Sequence, residues 1–158
     1  HACQWNGPIW PFATSIALTA LADLLHAGLK LPVGKDEWFE ALRTYARSQT
    51  LKLPDGSRIP WIDEVQDPYT GDWIAYRRWK RTSCRTYNHS TFCDIVISGL
   101  VGFQVKADGT CAAKPLIPDS WDWFRLENVP VRGKLVAVSF DRDGTRYGEG
   151  KGLKITER

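Results

Sequence analysis

The residues in this chain best suited to chemistry are carboxylic acids set among aromatic rings. The stretch Trp61-Ile62-Asp63-Glu64-Val65-Gln66-Asp67-Pro68-Tyr69-Thr70-Gly71-Asp72-Trp73 holds four acids between two indoles. Apolar rings disfavour the charged form of a carboxyl and raise its proton affinity, which general acid/base work at neutral pH requires. Asp-Pro followed by Thr-Gly is also a good turn, so the same acids suit a solvated loop. A second cluster, Trp5-Asn6-Gly7-Pro8-Ile9-Trp10, flanks a Gly-Pro turn with two indoles directly before an apolar run. It fits a stacking platform for a sugar ring beside the free N–H groups of a helix start, and equally a turn with two core tryptophans. A third, Tyr87-Asn88-His89-Ser90, bunches a phenol, an amide, an imidazole and a hydroxyl before another apolar run. Asn88-His89-Ser90 also matches the N-glycosylation pattern.

The bulk composition narrows what such clusters can serve. The chain has 158 residues, 43% of them hydrophobic and 25% charged, which suits a globular domain with a sizeable core. Eight tryptophans are an excess that points to core plates or to a site for ring-shaped ligands. Tyr76-Arg77-Arg78-Trp79-Lys80-Arg81 interleaves cations with rings as single-stranded nucleic acid binders do. A net charge of +3 and the absence of a surrounding binding module argue against that partner. No apolar run is long enough for a bilayer. Cys3, Cys84, Cys93 and Cys111 lack zinc-site spacing, and we expect four small buried thiols, no metal and no cofactor. Gly148, Gly150 and Gly152 around Lys151 do not make a phosphate loop, because Gly follows the lysine where Ser or Thr is needed. The chain opens on His1 and contains no Met, and we read it as a piece of a longer or processed polypeptide, its compartment undetermined.

The elements that must position these clusters change character near residue 102. Ile16, Ala20, Leu21, Leu24 and Leu25 recur at helical spacing and predict a helix from about Pro11 to Leu29, apolar enough to be covered on most sides. Trp38, Ala41, Leu42 and Tyr45 predict a second helix after Gly34. Residues 51–88 read as one long irregular loop, a length that usually carries function. Phe92, Ile95, Val96 and Gly99 predict a third helix from about Ser90, ended by Gly102. From Phe103 the pattern is β: Asp108-Gly109 and Asp143-Gly144 signal turns, Val136, Val138 and Phe140 alternate, and Leu153 to Thr156 reads as a last strand.

Taken together, Gln4-Trp5-Asn6-Gly7-Pro8-Ile9-Trp10-Pro11, Asp63-Glu64 with Asp67-Pro68-Tyr69-Thr70-Gly71, and Tyr87-Asn88-His89-Ser90-Thr91-Phe92 resemble the C-terminal part of the six-hairpin glycosidases. The nearest likeness is to glycoside hydrolase family 63 and the mannosylglycerate-hydrolase-like group. Leu116-Ile117-Pro118 and Asp143-Gly144-Thr145-Arg146-Tyr147-Gly148 look like the small β extension that follows the barrel in some of them. The resemblance implies a mainly α fold followed by β: residues 1–102 as the C-terminal portion of an (α/α)6 toroid, with about three helices and a long active-site loop, and 103–158 as a small antiparallel β extension. It implies inverting hydrolysis of an O-glycosidic bond, an α-glucoside or α-mannoside, by two carboxyl groups. Glu64 is then the general base, with Asp63 the nearest rival. Trp5, Asn6, Trp10, Tyr87 and His89 become substrate-binding residues. The general acid is assigned to sequence outside this chain, as is the rest of the barrel, so the chain alone is expected to be inactive. Two other readings stand beside this one. A non-catalytic carbohydrate-binding module would be a self-contained β-sandwich, and a nucleic-acid binder would lose affinity steeply with salt.

Overall fold

The computed structural model describes residues 7–77 and 91–157. In chain order the elements are α1 (Pro11–His26), α2 (Lys35–Ser48), β1 (Thr50–Lys52), β2 (Arg58–Pro60), α3 (Ile74–Arg77), α4 (Thr91–Asp94) continuing as a π-helical segment (Ile95–Leu100), β3 (Phe103–Val105), β4 (Cys111–Ala113), β5 (Trp123–Val131), β6 (Lys134–Asp141) and β7 (Gly152–Glu157). Among the described residues there are thus three helices longer than one turn, the single-turn α3, and three antiparallel sheets ordered β1-β2, β3-β4 and β5-β6-β7.

α1 starts at Pro11, where the fixed φ of proline suits the first turn and its missing N–H has no intrahelical partner to lose. It ends three residues before the expected Leu29. Gly28 takes φ +74, its N–H reaches Leu25 O at 3.0 Å, and Leu29 N–H reaches Leu24 O at 3.2 Å, a left-handed stop that only glycine adopts freely. Its buried stripe is Pro11, Ser15, Leu18 and Ala22, and the Ser15 hydroxyl is satisfied by Phe12 O at 2.7 Å. The expected cover on most sides is not found among the described residues, because Phe12, Leu24 and Ile16, the last 55% accessible, face outward.

α2 begins as the spacing predicts. Gly34 N–H donates to the Glu37 carboxylate at 3.0 Å, which closes the first turn. Trp38, Leu42 and Tyr45 are buried, and Ala41 is exposed. Trp38 donates its indole N–H to Leu18 O at 2.9 Å and joins α2 to α1. The third helix is not α-helical throughout. It widens into the π-helical segment, closed by Val101 N–H to Val96 O at 2.9 Å, and brings Gly99 so close to Trp38 that a Cβ would stand 3.1 Å from the indole.

Two cores result. Leu18, Ala22, Trp38, Leu42, Tyr45, Ile95, Leu100 and Leu116 form the helical one, and Val101, Phe103, Phe124, Val131, Val136 and Val138 form the β one. Ile117 and Trp121 pack against both, so the change of character at residue 102 is not a gap between them.

Three expectations need correction. The stretch 51–88 is not irregular throughout: β1 and β2 pair as a hairpin, and α3 follows. All three residues of β2 are exposed, so no buried face printed a period on it. Strand β5 also escaped the sequence reading, because a register shift between Leu126 and Val129, with Asn128 at φ 59, breaks its alternation. It joins β6 through a two-residue turn at Arg132 (φ 48) and Gly133 (φ 82), the left-handed pair that matches strand twist. Finally, Cys93 is exposed and Cys111 half-buried, both free, rather than buried thiols. Cys3 and Cys84 lie outside the described residues.

Candidate active site

The acidic loop is fastened at both ends. Gln66 forms an antiparallel bridge with Ile9, with Ile9 N–H to Gln66 O at 2.8 Å and Gln66 N–H to Ile9 O at 2.9 Å, and a second bridge with Trp73. Ile74 N–H donates to Val65 O at 3.0 Å. The run 64–66 therefore lies between the segment leading into α1 and the start of α3. Beneath it, Val65, Trp10 and Ile74 form a small apolar cluster.

The C-terminus of α2 supplies the other wall. A helix ends with carbonyls that have no intrahelical partner. Three consecutive carbonyls here accept from the loop: Ser48 O from the Gln66 side-chain amide at 3.1 Å, Gln49 O from Trp61 N–H at 3.1 Å, and Thr50 O from the Trp73 indole at 2.9 Å.

The four acids have separate surroundings. Asp63 is 0% exposed, accepts Glu64 N–H at 2.8 Å on one oxygen, and lies 3.3 Å from the Trp61 indole N–H on the other. Asp67 is buried and organises the following turn, taking the N–H groups of Tyr69 at 3.0 Å and Thr70 at 3.2 Å on Oδ1. Its backbone pairs with Asp72 O and Gly71 N–H, both at 2.8 Å. Asp72 is half-exposed at the end of that turn, and its N–H donates to the Thr70 hydroxyl at 3.2 Å. Glu64 is half-exposed, one residue beyond Asp63 and two before the bridged Gln66.

Of the residues assigned from sequence, Glu64 and Trp10 are described, and the structure brings them onto one fastened unit. Trp10 is 8% exposed and packs with Val65 directly after Glu64. Trp5, Asn6, Tyr87 and His89 lie outside the described residues, as does most of the basic stretch after Arg77. Sequence reading missed Gln66 and Trp73. Each donates to a partly buried backbone carbonyl, a role that neither residue type nor spacing announces. Among the described residues no group of three His, Cys, Asp or Glu side chains is placed to hold a metal ion, and no helix is long and apolar enough to cross a membrane.

Comparison with known proteins places these features among the glycosidases. Residues 1–90 match the mannosylglycerate hydrolase MGH1-like glycoside hydrolase domain, and residues 105–156 match the C-terminal domain of glycosyl hydrolase family 65. A solved structure described as a sialidase is 38% identical over 98% of this chain, with a TM-score of 0.84. This chain spans 14% of that protein. A comparison with curated proteins finds no match.

Proposed function

We propose, from the premise that the chain belongs to the mannosylglycerate hydrolase MGH1-like glycoside hydrolase family, that it carries the general base of an inverting glycosidase, and that this base is Glu64. The observation that carries the reading is the contrast between two neighbouring acids. Asp63 is wholly buried, with hydrogen-bond donors from its own loop on both oxygens, so a water or sugar cannot reach it without dismantling the loop. Glu64 is half-exposed on the same fastened run. The buried acid holds the loop, and the accessible one does the chemistry.

In the proposed reaction Glu64 takes a proton from a water as that water attacks the anomeric carbon. A second carboxyl, contributed by polypeptide outside this chain, protonates the leaving oxygen from the opposite face. Inversion needs the two carboxyls about 6.5–9.5 Å apart, leaving room for the water. Residues 1–102 then form the C-terminal portion of an (α/α)6 barrel and 103–158 a β extension. The open faces of Phe12, Ile16 and Leu24 on α1 are where neighbouring helices of the barrel would pack. Trp5, Asn6, Tyr87 and His89 keep a proposed role in substrate binding. Trp10 offers a sugar little ring area at its 8% exposure, so its proposed contribution is to pack against Val65, the residue after Glu64.

The proposed substrates are α-glucosides or α-mannosides. The sialidase relative adds sialosides as a second class to be tried. Glu64→Gln in the complete enzyme should reduce kcat by several orders of magnitude with substrate binding retained. NMR of the first-formed product should show the inverted anomer. Normal turnover by Glu64→Gln, or a product of retained configuration, would refute the proposal. This chain expressed alone should turn over none of the three substrate classes.

A further inference from the structure

We infer that Gln66 is the positioning residue of the active-site carboxylate, acting through the carbonyl of Ser48. This rests on the assignment of Glu64 as the base. A general base must be held in place, since a displacement of about 1 Å can cost about 100-fold in rate. Glu64 stands on a non-helical loop, so its placement depends on what fastens that loop.

Gln66 fastens it in three directions. Its backbone exchanges both hydrogen bonds with Ile9 on one side and bridges Trp73 on the other. Gln66 is 4% exposed, and its side-chain amide donates to Ser48 O at 3.1 Å. The two backbone bridges tie the run to the segment leading into α1 and to the start of α3. The amide-to-carbonyl bond adds a third tie, to the end of α2, and α2 is itself anchored in the helical core by Trp38, Leu42 and Tyr45. Trp61 N–H on Gln49 O and the Trp73 indole on Thr50 O hold the two edges of the loop to the cap of that helix and to the first residue of β1. Gln66 is the member of this set two residues from Glu64, so loss of its bond moves the base most directly.

The chemistry of the contact makes the inference testable. Ser48 O can only accept, so the residue at 66 must donate. Gln66→Leu removes the donor at similar size. Gln66→Glu keeps the shape but faces the carbonyl with a carboxylate, which donates only when protonated. The backbone groups that Gln66 contacts on the packed elements belong to Ser48, Ile9 and Trp73, none ionisable. The acids nearest to Gln66 along its own run are Asp63, Glu64 and Asp67.

The test uses the complete enzyme and the glycoside on which it is active. Gln66→Leu should lower kcat by about 100-fold and leave KM within a few-fold. Gln66→Glu should be similarly impaired at pH 8, and its activity relative to the parent, measured at each pH, should climb toward 1 as pH falls to 5. If Gln66→Leu does not fold, the relative pH profile of Gln66→Glu carries the test. A parental kcat in Gln66→Leu, or a Gln66→Glu ratio independent of pH, would overturn the inference. Both outcomes are separable from failure of the base assignment, which is read from Glu64→Gln alone.

Discussion

Replacement of Gly102 by alanine tests how the helical part is joined to the β part. Gly102 adopts φ +65, and a Cβ built there would lie 2.1 Å from Lys114 O, 2.6 Å from the carbonyl carbon and 2.9 Å from His26 Cε1. The obstacle is backbone, which cannot swing aside as a long side chain does. The same residue is tied in, because Lys114 N–H donates to Gly102 O at 3.1 Å and Lys114 Nζ to His26 O at 2.7 Å. His26 Nε2 in turn lies 2.9 Å from Gly99 O. A left-handed alanine costs about 1–2 kcal/mol. Forcing extra volume into a close-packed site costs about 1–3 kcal/mol, and the lost hydrogen bond about 1 kcal/mol. Together these predict about 3–6 kcal/mol for Gly102→Ala. Gly56 supplies the control: it has φ +87 with nothing within 4 Å of its would-be Cβ, so Gly56→Ala should cost only the strain of about 1–2 kcal/mol. Urea denaturation resolves the difference, since a slope of about 1–3 kcal/mol per molar turns it into a midpoint shift on the order of 1 M. If Gly102→Ala proves no more destabilising than Gly56→Ala, the contact with Lys114 yields freely and the reasoning fails.

Three further predictions follow from the packing and the acids. Gly99→Ala should cost about 1–3 kcal/mol because its Cβ would meet the Trp38 ring at 3.1 Å. In a Trp38→Phe background that ring atom is gone and the cost should shrink by at least about 1 kcal/mol, so strict additivity in the denaturation cycle would count against the contact. Asp63→Asn should lower the melting temperature, with a loss of about 1–3 kcal/mol from an unmatched buried group, and should reduce kcat far less than Glu64→Gln. Equal losses of kcat would exchange the roles of the two acids. The third concerns Asp55, Asp108 and Asp143, whose carboxyls are held below the ordinary range. For Asp55 the main cause is the Ser57 hydroxyl, and for Asp108 and Asp143 it is the backbone N–H of Thr110 and Thr145. A lowered folded-state pKa gives stability that is complete above the unfolded carboxyl value of about 3.9 and lost as pH falls below it. Thermal denaturation between pH 6 and pH 3 should therefore show a steeper decline for the parent than for the triple Asn variant, and parallel curves would refute the assignment.

What was legible in the sequence was whatever left a local signature. Trp38, Leu42 and Tyr45 repeat at helical spacing because one face of α2 is buried, and that period located the helix. Pro11 and Gly28 bracket α1, Asp108-Gly109 turns β3 into β4, and Val136 with Val138 marks the inward face of β6, each through the backbone preference or burial of the residue itself. The motif order around Asp63-Glu64 was enough to indicate a glycosidase. The matches to two glycoside hydrolase domains support that class.

What only the tertiary structure decided were relations between residues far apart in the chain. Asp63 and Glu64 are chemically near-equivalent neighbours, and no pattern separates them. Folding does, by turning one inward onto Glu64 N–H and the Trp61 indole and leaving the other half-exposed. Nothing local to Trp10 announces its burial, which comes from packing with Val65 and Ile74. Gln66 and Trp73 look like ordinary loop residues until the loop reaches the end of α2 and meets Ser48 O and Thr50 O. Local sequence determines which backbone shapes are cheap. Which side chain is buried, and which carbonyl it satisfies, depends on surfaces that exist only once distant segments have come together.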